Sequence, residues 1–485
     1  MSKSKGKRKT QELQTGTAAK KAKLAVVTPP TDLTDAKTIG SIGLEEADLE
    51  ITVDTLNSLA QQPSVMKSKA CKGLRTAVYD FRQACTTGLS AGGDSNLTAR
   101  ISGALADELY IEARVMLSEM RIRGKTPKLG ALCRWVRDLD VVSGLAEQLD
   151  SSGRSRTAKE KELLVVLDAI LRVTGPTDYS MEGSITEGPI NPRNPWDLRS
   201  ATERVSSYES VLNRSIFSCL PDGLKENFRV IETTPGLDRK PANLHPAILH
   251  ASKDDTIALS PDISKAAHHK HPVVPNLHLI KDVLTPTECA QIIAAGETIG
   301  FTPDAPIRSE SGENSILAHN FYWVVDNAFN DKLWNRVKDF VPKVVKGKKV
   351  RGINRRFRVY RYVPGAEYRA HIDGAWPPSS IDPSTDRYIY DASPPGAKQS
   401  SLFTFLIYLN DEFEAGETSY FLPSAKEGTM NAYSIKPIQG SVAMFPHGET
   451  EGSLLHEGTG VRQDRKLSAK YVIRTDVLYD VDVTP

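Results

Sequence analysis

Three side chains in the C-terminal half could share one metal ion. His371-Ile372-Asp373 ends an alternating stretch, and a second histidine, His456, lies in a later one. Because residues two apart in a strand point to the same face, the imidazole of His371 and the carboxylate of Asp373 converge. Two imidazoles and one carboxylate on one face, with other coordination positions open, suit non-haem iron(II). The pattern therefore indicates a redox-active iron site.

Two other histidines must be weighed against these ligands. His447 lies in Pro446-His447-Gly448, a sequence typical of a turn, and it is the alternative to His456. His319 lies in an alternating apolar stretch. A histidine in a β core is more often a hydrogen-bonded structural residue than a ligand, so we interpret His319 and His447 as structural.

The elements that would position the site are short strands. From about residue 273 the hydrophobic period changes from helical to alternating, apart from short helices after Thr285-Pro286-Thr287-Glu288 and over 330–341. Such a run of strands indicates a β-sandwich or jelly roll. The predicted strands are 357–363, 368–373, 402–409, 417–422, 432–436, 441–445, 452–457 and 469–479.

A long segment, 374–399, separates the second strand from the third. It contains five prolines and Trp376, and it is too long to be a passive turn. Long loops in compact domains often close over substrates, so the segment predicts a lid beside the iron site.

Five motifs occur in order along the C-terminal half: RYVPGAEYRAHID (361–373), FLIYLN (405–410) with AGET (415–418), PIQGSVAMF (437–445), LHE (455–457) and KYVIR (470–474). In residue type and order they resemble the Fe(II)/2-oxoglutarate-dependent dioxygenases, specifically the prolyl 4-hydroxylase-like group, across roughly residues 275–480. The resemblance implies an oxidoreductase with a double-stranded β-helix (jelly roll) that holds Fe(II) through His371, Asp373 and His456. It also implies 2-oxoglutarate as co-substrate, O2 as oxidant and ascorbate as reductant.

The resemblance assigns two residues to the co-substrate. A dicarboxylate held inside a barrel needs a cation and a hydroxyl donor, because an unpaired buried charge is costly. By resemblance these are Lys470 and Tyr362. Lys470 follows His456 by 14 positions, whereas the family's basic residue follows by about ten, so Lys466 and Arg474 are the alternatives. No catalytic group is expected beyond the iron and co-substrate ligands.

The N-terminal half has a different pattern. Apolar residues recur at helical spacing from about 47 to 174, with helices predicted after Ser95-Asn96 and from Ser155 or Thr157 to Gly175-Pro176. We predict the α+β class, with a helical region separate from the jelly roll. The expected regions are a disordered basic tail (1–40), a helical domain (41–180), an irregular connector (181–272) and the dioxygenase domain (273–482). The tract His268-His269-Lys270-His271 is expected to be solvated linker.

Composition and charge predict an intracellular protein. The 485 residues are 39% hydrophobic and 25% charged, as in soluble globular proteins, and no apolar run reaches 18 residues, so no transmembrane helix is expected. Five scattered cysteines without CxxC spacing favour reduced thiols. The basic tail lacks the apolar core of a secretory signal peptide.

The tail suggests a cellular location. Lys7-Arg8-Lys9 and Lys20-Lys21-Ala22-Lys23 resemble a bipartite nuclear localisation signal, so we expect the nucleus, with the nuclear import machinery as a partner. Non-specific nucleic-acid contact and a merely solvating tail are the alternatives. The basic segment 125–135 carries one tryptophan at helical spacing from Leu132, which favours the core or a partner contact over base stacking.

These features predict a dioxygenase that hydroxylates a protein side chain, with proline as the expected target and succinate and CO2 as co-products. Oxidative demethylation of a nucleic acid or histone is the alternative within the enzyme class. A nuclear interaction protein whose barrel has lost turnover is the alternative outside it.

Overall fold

A computed structural model describes residues 45–83, 96–139, 156–180, 189–200, 206–221, 223–239, 242–261, 266–306, 316–448, 450–462 and 468–481. The basic tail with its two Lys/Arg clusters, and Lys466, lie outside these residues. The chain divides into two compact units, Met1–Gln83 and Ala84–Pro485. None of the helices in the described ranges has the length and apolar character to cross a membrane.

The described helices are α1 (Glu46–Ala60), α2 (Pro63–Met66), α3 (Lys72–Gln83), α4 (Asn96–Ala106), α5 (Tyr110–Ile122), α6 (Leu129–Leu139), α7 (Ala158–Thr174), α8 (Ser207–Leu212), α9 (Pro286–Ile299) and α10 (Asn327–Val337). Short 3-10 helices span Ser215–Cys219, Leu224–Asn227 and Gly236–Asp238.

The described strands are β1 (Ile190–Pro192), β2 (Phe228–Thr234), β3 (Ala247–Ser252), β4 (Ala267–Lys270), β5 (His278–Lys281), β6 (Thr302–Asp304), β7 (Ile316–Val324), β8 (Val344–Val345), β9 (Lys348–Ile353), β10 (Arg356–Tyr362), β11 (Ala366–His371), β12 (Ser380–Ile381), β13 (Tyr388–Ile389), β14 (Gln399–Tyr408), β15 (Thr418–Pro423), β16 (Met430–Ile435), β17 (Val442–Pro446), β18 (Leu455–Gly458) and β19 (Lys470–Asp480).

Eight of these strands form two facing groups. In the first, β10 pairs with β19, β19 with β14, and β14 with β17, all antiparallel. In the second, β11 pairs with β18, β18 with β15, and β15 with β16, again antiparallel. The eight strands are those predicted from alternation, each to within three residues at either end. The result is a large, mostly sheet region that is consistent with a jelly roll.

Helices cover the outer face of the first group. Apolar residues of α9 and α10, such as Ile293 and Leu333, share a core with Phe405 and Tyr471 of that sheet. The predicted start of α9 is confirmed, because the Thr285 hydroxyl accepts a hydrogen bond from the Glu288 backbone N–H at the first turn. Helix α10 begins three residues earlier than predicted.

Within the second compact unit, helices α4–α7 are not separate from the sheet, which corrects the prediction for this part of the helical region. Helices α4–α7 share one core with the outer face of the second group, where Leu167 and Trp135 join the same cluster as Ile372 and Phe421. An ion pair ties the helices to the sheet as well, since the Arg172 guanidinium binds the Asp168 carboxylate at 2.8 Å and the carbonyls of the β15–β16 turn. Helical periodicity reveals an apolar face but not the surface that covers it.

The expected irregular connector is instead built into the sheets. Strand β1 pairs with β16, β3 with β7, and β4 with β5. The histidine tract is therefore not solvated linker. The Nε2 atom of His268 lies 2.8 Å from Nδ1 of His278, and the ring of His271 packs edge-on against the rings of Trp196 and Tyr433. These pairings are non-local, so the polar, proline-rich composition did not reveal them.

Two smaller features concern the thiols and one turn. Cys71, Cys133, Cys219 and Cys289 are free thiols, as predicted, and Cys85 lies outside the described residues. Between β16 and β17, Gly440 adopts φ +74°. An added Cβ there would lie 2.0 Å from the carbonyl oxygen of Leu284, so this turn requires glycine.

Candidate metal and co-substrate site

The three predicted metal ligands converge on one point between the facing sheets. His371 ends β11 and is the cross-strand neighbour of His456 on β18, while Asp373 follows two residues after His371. Nε2 of His371 lies 3.3 Å from Oδ1 of Asp373, and Nε2 of His456 lies 3.5 Å from Oδ2. All three ligand atoms lie within 4.8 Å of one another.

Both imidazoles are held in the tautomer that metal binding needs. Nδ1–H of His371 donates to the Arg369 carbonyl at 2.6 Å, and Nδ1–H of His456 donates to the Leu454 carbonyl at 3.1 Å. A carbonyl can only accept, so each Nδ1 carries the proton and each Nε2 presents a lone pair. Adjacent ligands with bonds of about 2.1 Å lie roughly 3.0 Å apart at right angles, so the Nε2–carboxylate separations fit one divalent ion.

Electrostatics and burial keep two of the ligands, Asp373 and His456, in the protonation states that a metal requires. Burial by itself would raise the pKa of the Asp373 carboxyl, but the positive charge of the Arg474 guanidinium opposes this effect, and the pKa lies well below its usual value. Burial lowers the pKa of His456 to about 3. A carboxylate and a neutral imidazole are the metal-binding forms, so these two groups are ready to bind an ion.

A chain of hydrogen bonds supports the ligating carboxylate from behind. The Thr404 hydroxyl donates to Oδ2 of Asp373 at 2.6 Å, which uses its single proton, so Nδ1–H of His447 donates to Thr404 Oγ1 at 2.8 Å. Nε2 of His447 then accepts from the Ser401 hydroxyl at 2.8 Å, and Ser401 Oγ accepts from the Trp376 backbone N–H at 2.8 Å. Each group uses its donors and acceptors consistently, so the carboxylate is fixed in orientation.

His447 thus supports the site and is not one of the three clustered ligands. Burial lowers its pKa to about 3, so its imidazole stays neutral. The sequence did not predict the role of Thr404. It did contain a signal for it, since this threonine is a polar residue within the apolar strand LFTFLIYL (402–409). His319 lies away from the metal ligands, with Nδ1 3.1 Å from the Arg361 guanidinium.

The predicted co-substrate residues lie side by side. Tyr362 of β10 pairs in register with Lys470 of β19, and the Lys470 ammonium lies 4.6 Å from the centre of the Tyr362 ring. The lysine is 1% exposed and has no hydrogen-bond partner among the described residues. Burial lowers its pKa to about 7, an effect that nearby Glu417 partly offsets. Burial raises the pKa of Tyr362, so its hydroxyl remains a donor.

A second buried phenol lies beside one of the metal ligands. Tyr420 of β15 is the cross-strand neighbour of His456 and stacks on its ring with a centroid separation of 6.0 Å. The Tyr420 hydroxyl is buried without a hydrogen-bond partner in the described structure. An unpaired ammonium and an unpaired phenol in a dry interior are each costly, and each could be satisfied by an oxygen atom of a bound ligand.

Residues 357–474, which carry every one of these groups, match the profile of the 2OG-Fe(II) oxygenase superfamily. This region is an Fe(II)/2-oxoglutarate-dependent dioxygenase domain. The resemblance inferred from the five motifs is thereby confirmed, and Fe(II), 2-oxoglutarate and O2 are the cofactors and co-substrates that it implies.

Solved structures and curated proteins add little to this assignment. One similar structure is the viral collagen prolyl hydroxylase of Paramecium Bursaria Chlorella virus-1 in its 2OG complex, 20% identical, covering 42% of this chain and 97% of that one with a TM-score of 0.27. Another is an oxidoreductase of the 2OG-Fe(II) oxygenase family from Burkholderia pseudomallei, 13% identical, covering 42% and 85% with a TM-score of 0.26. No curated protein matches the sequence.

Arg474 of the dioxygenase domain lies at the metal ligands rather than beside the lysine. Its Nε lies 3.3 Å from Oδ1 of Asp373, and its Nη2 donates to Asp476 at 3.0 Å and to the Gly374 carbonyl at 3.3 Å. Three cations are candidates for binding 2-oxoglutarate, and Lys466 lies outside the described residues. Of the other two, Arg474 is already paired with carboxylates and Lys470 is not.

The basic segment 125–135 does not present its tryptophan to a ligand. Trp135 is 1% exposed, and its indole N–H donates to the Ser102 hydroxyl at 2.8 Å within the helical core. The segment instead contacts the dioxygenase domain, since Sγ of Cys133 lies 3.6 Å from the carbonyl oxygen of Ile372, between two metal ligands. The core reading of this tryptophan is confirmed.

Proposed function

We propose that this dioxygenase hydroxylates a side chain of a protein substrate, with proline as the favoured target. The supporting observation is the one-sided exposure of the metal ligands. The His371 side chain is 26% exposed, whereas Asp373 and His456 are 6% and 7% exposed. An opening on one ligand suits a side chain that is presented by a larger molecule.

The surroundings of this opening favour a peptide. The ring of Tyr368 lies 4.5 Å from that of His371, and the 374–399 segment contributes Trp376 and Tyr390, whose rings meet edge to face at 5.8 Å. Aromatic rings bury the apolar bodies of peptide residues, prolyl rings included. The same segment forms the β12–β13 hairpin, a folded element that could act as the predicted lid.

Each group near the metal has a defined task. When bound, iron(II) supplies O2 activation coupled to the decarboxylation of 2-oxoglutarate, so succinate and CO2 accompany the hydroxylated product. Lys470 binds the remote carboxylate of 2-oxoglutarate, and the hydroxyl of Tyr362 donates to the same end. Thr404 keeps Asp373 oriented toward the metal while substrate enters past His371.

We also propose that the eight central strands form a double-stranded β-helix. Its support is the alternation of strand order, in which β10, β14, β17 and β19 pair on one side and β11, β15, β16 and β18 pair on the other. A chain that crosses between two sheets at almost every turn produces this pattern. An experimental structure with the eight strands in a different order would contradict it.

Nuclear localisation and ascorbate dependence complete the proposal. The support for the nucleus is the pair of basic clusters at residues 7–9 and 20–23. Replacing both clusters by alanine should move a fluorescent fusion out of the nucleus, and unchanged import would contradict the assignment. Ascorbate should raise the number of turnovers before inactivation, and turnover that is indifferent to it would remove this cofactor.

The first experiment measures succinate released from 2-oxoglutarate by the purified protein with Fe(II) and ascorbate. We expect release that is lost in His371→Ala and retained in His269→Ala, a matched histidine on β4 outside the site. Hydroxylation is then read as a mass gain of one oxygen on proline-containing peptides. Formaldehyde release from methylated nucleic acid or histone peptides would favour demethylation, and neither turnover nor 2-oxoglutarate binding would favour the interaction protein.

A further inference from the structure

Arg356, at the outer end of β10, is held in an unusual setting. Its guanidinium carbon lies 4.2 Å from the centre of the Trp376 ring and 4.6 Å from that of Tyr322. The side chain is half-buried, and it donates no hydrogen bond to any described residue. A guanidinium that lies over aromatic rings keeps its N–H donors in its own plane, directed past the rings.

The neighbouring arginines on the same face already have partners. Arg358, two residues along β10, binds the Asp304 carboxylate at 2.6 Å, and Arg474, its cross-strand neighbour, binds Asp476 at 3.0 Å. Arg356 lies within electrostatic range of Asp476 but forms no hydrogen bond with it. Among these three arginines, only Arg356 offers a full set of donors to an incoming group.

Contacts lead from Arg358, two residues along β10 from Arg356, to the iron site. Arg358 Nη1 lies 3.4 Å from the Tyr368 hydroxyl, and the Tyr368 ring contacts the His371 ring at 4.5 Å. Arg356 lies one step farther out, since two residues of a strand span roughly 6.8 Å. Alternation places its side chain on the same face of β10 as Tyr362, so it borders the path toward the metal.

We infer that Arg356 forms an acid-recognition subsite, which binds a glutamate or aspartate side chain of the protein substrate near the residue that is hydroxylated. A carboxylate matches the in-plane fork of a guanidinium with two parallel hydrogen bonds, and the rings of Tyr322 and Trp376 hold that fork in place. The inference rests on the proposed function and adds a sequence requirement to it. At about 3.3 Å per residue, the acidic residue should lie roughly three or four positions from the target.

Position-scanned peptides test this subsite. Fluorescent 15-residue peptides with a central proline carry one glutamate at each position in turn, and each has a glutamine counterpart of equal shape. Their Kd values are measured by anisotropy with the full chain, Mn(II) and 2-oxoglutarate. We expect the glutamate peptide to bind about 10-fold more tightly than its glutamine counterpart at one position, as for a charge-assisted pair.

Variants assign the preference to one residue. Arg356→Gln should abolish the difference between glutamate and glutamine, whereas Arg387→Gln, an exposed arginine before β13, should preserve it. Arg356→Glu should reverse the preference toward a lysine peptide. This gain of binding cannot result from misfolding, so it is the most decisive arm.

Three outcomes would overturn the subsite: no peptide binding, equal binding of glutamate and glutamine peptides at every position, or a preference that survives Arg356→Gln. Arg356-dependent binding of single-stranded oligonucleotides without peptide discrimination would assign the arginine to nucleic acid instead. Succinate release by the wild type is measured in parallel. If succinate release is absent while the preference for glutamate peptides holds, the proposed function is wrong and the acid-recognition subsite is still supported.

Discussion

Replacing Lys470 should change two properties in opposite ways: the folded protein should become more stable, and it should bind 2-oxoglutarate more weakly. Its buried ammonium has no hydrogen-bond partner among the described residues, and burial lowers its pKa from 10.5 to about 7. At ~1.4 kcal/mol per pH unit, holding the lysine there costs the folded protein roughly 3–5 kcal/mol at neutral pH. Lys470→Met keeps a similar length without the charge. We therefore expect the free energy of unfolding to rise by about 2–4 kcal/mol, while 2-oxoglutarate binding weakens by about 100-fold or more.

The stability effect should depend on pH with a defined sign. Lys470 has the lower pKa in the folded protein, so the unfolded chain binds more protons between about pH 7 and pH 10.5. Its unfavourable contribution is complete below pH 7 and fades as pH rises through this window. Urea unfolding at pH 7 and pH 9 should therefore show a smaller advantage of Lys470→Met at pH 9.

The assay pairs urea unfolding with calorimetric titration of 2-oxoglutarate into the Mn(II)-loaded protein. Lys436→Met is the matched control, because Lys436 forms an ion pair with Glu417 and its loss leaves that carboxylate unpaired. This control should lose stability where Lys470→Met gains it. A Lys470→Met protein that is less stable at both pH values and still binds 2-oxoglutarate would refute the reasoning and favour Arg474 as the anchor.

Three further outcomes follow from the site and the fold. Thr404→Val removes the hydroxyl that orients Asp373 but keeps the side-chain shape, so Mn(II) affinity should fall about 10–100-fold, whereas Thr404→Ser should retain it. Gly440→Ala should lose about 3 kcal/mol or more of unfolding free energy, because its Cβ would meet a backbone carbonyl at 2.0 Å. Wild-type affinity for 2-oxoglutarate should fall about tenfold per pH unit above pH 7 as the buried lysine loses its proton.

Each of these outcomes has a contrary result. Equal Mn(II) affinity in Thr404→Val and Thr404→Ser would show that the hydroxyl does not orient the metal ligand. Gly428→Ala is the control for Gly440→Ala, because Gly428 has a similar φ of +79° but its nearest neighbour is a valine methyl at 3.5 Å. Equal losses of unfolding free energy in Gly440→Ala and Gly428→Ala would show that the close approach of Gly440 to the Leu284 carbonyl does not matter for stability. An affinity that stays constant to pH 9 would indicate an arginine as the carboxylate anchor.

The sequence by itself determined the strands and the ligand types. Alternation places His371 and Asp373 on one face whatever the strand pairs with, since this property depends only on the local backbone. The same period located the eight central strands, and the Thr285 cap located α9. The types of these residues then predicted Fe(II), because two imidazoles and one carboxylate, with other coordination positions of the metal left open, are a specific ligand set.

Tertiary structure decided which distant residues support that set. Thr404 reaches Asp373 across 31 positions, and His447 reaches Thr404 across 43. The connector's strands and helices α4–α7 pack on the sheets through partners that no local pattern specifies. A hydrophobic period states that a face is buried, but the surface that covers it depends on cross-strand register and on contacts far apart in sequence. The same limit hid Arg356, whose role depends on rings contributed by β7 and by the 374–399 segment.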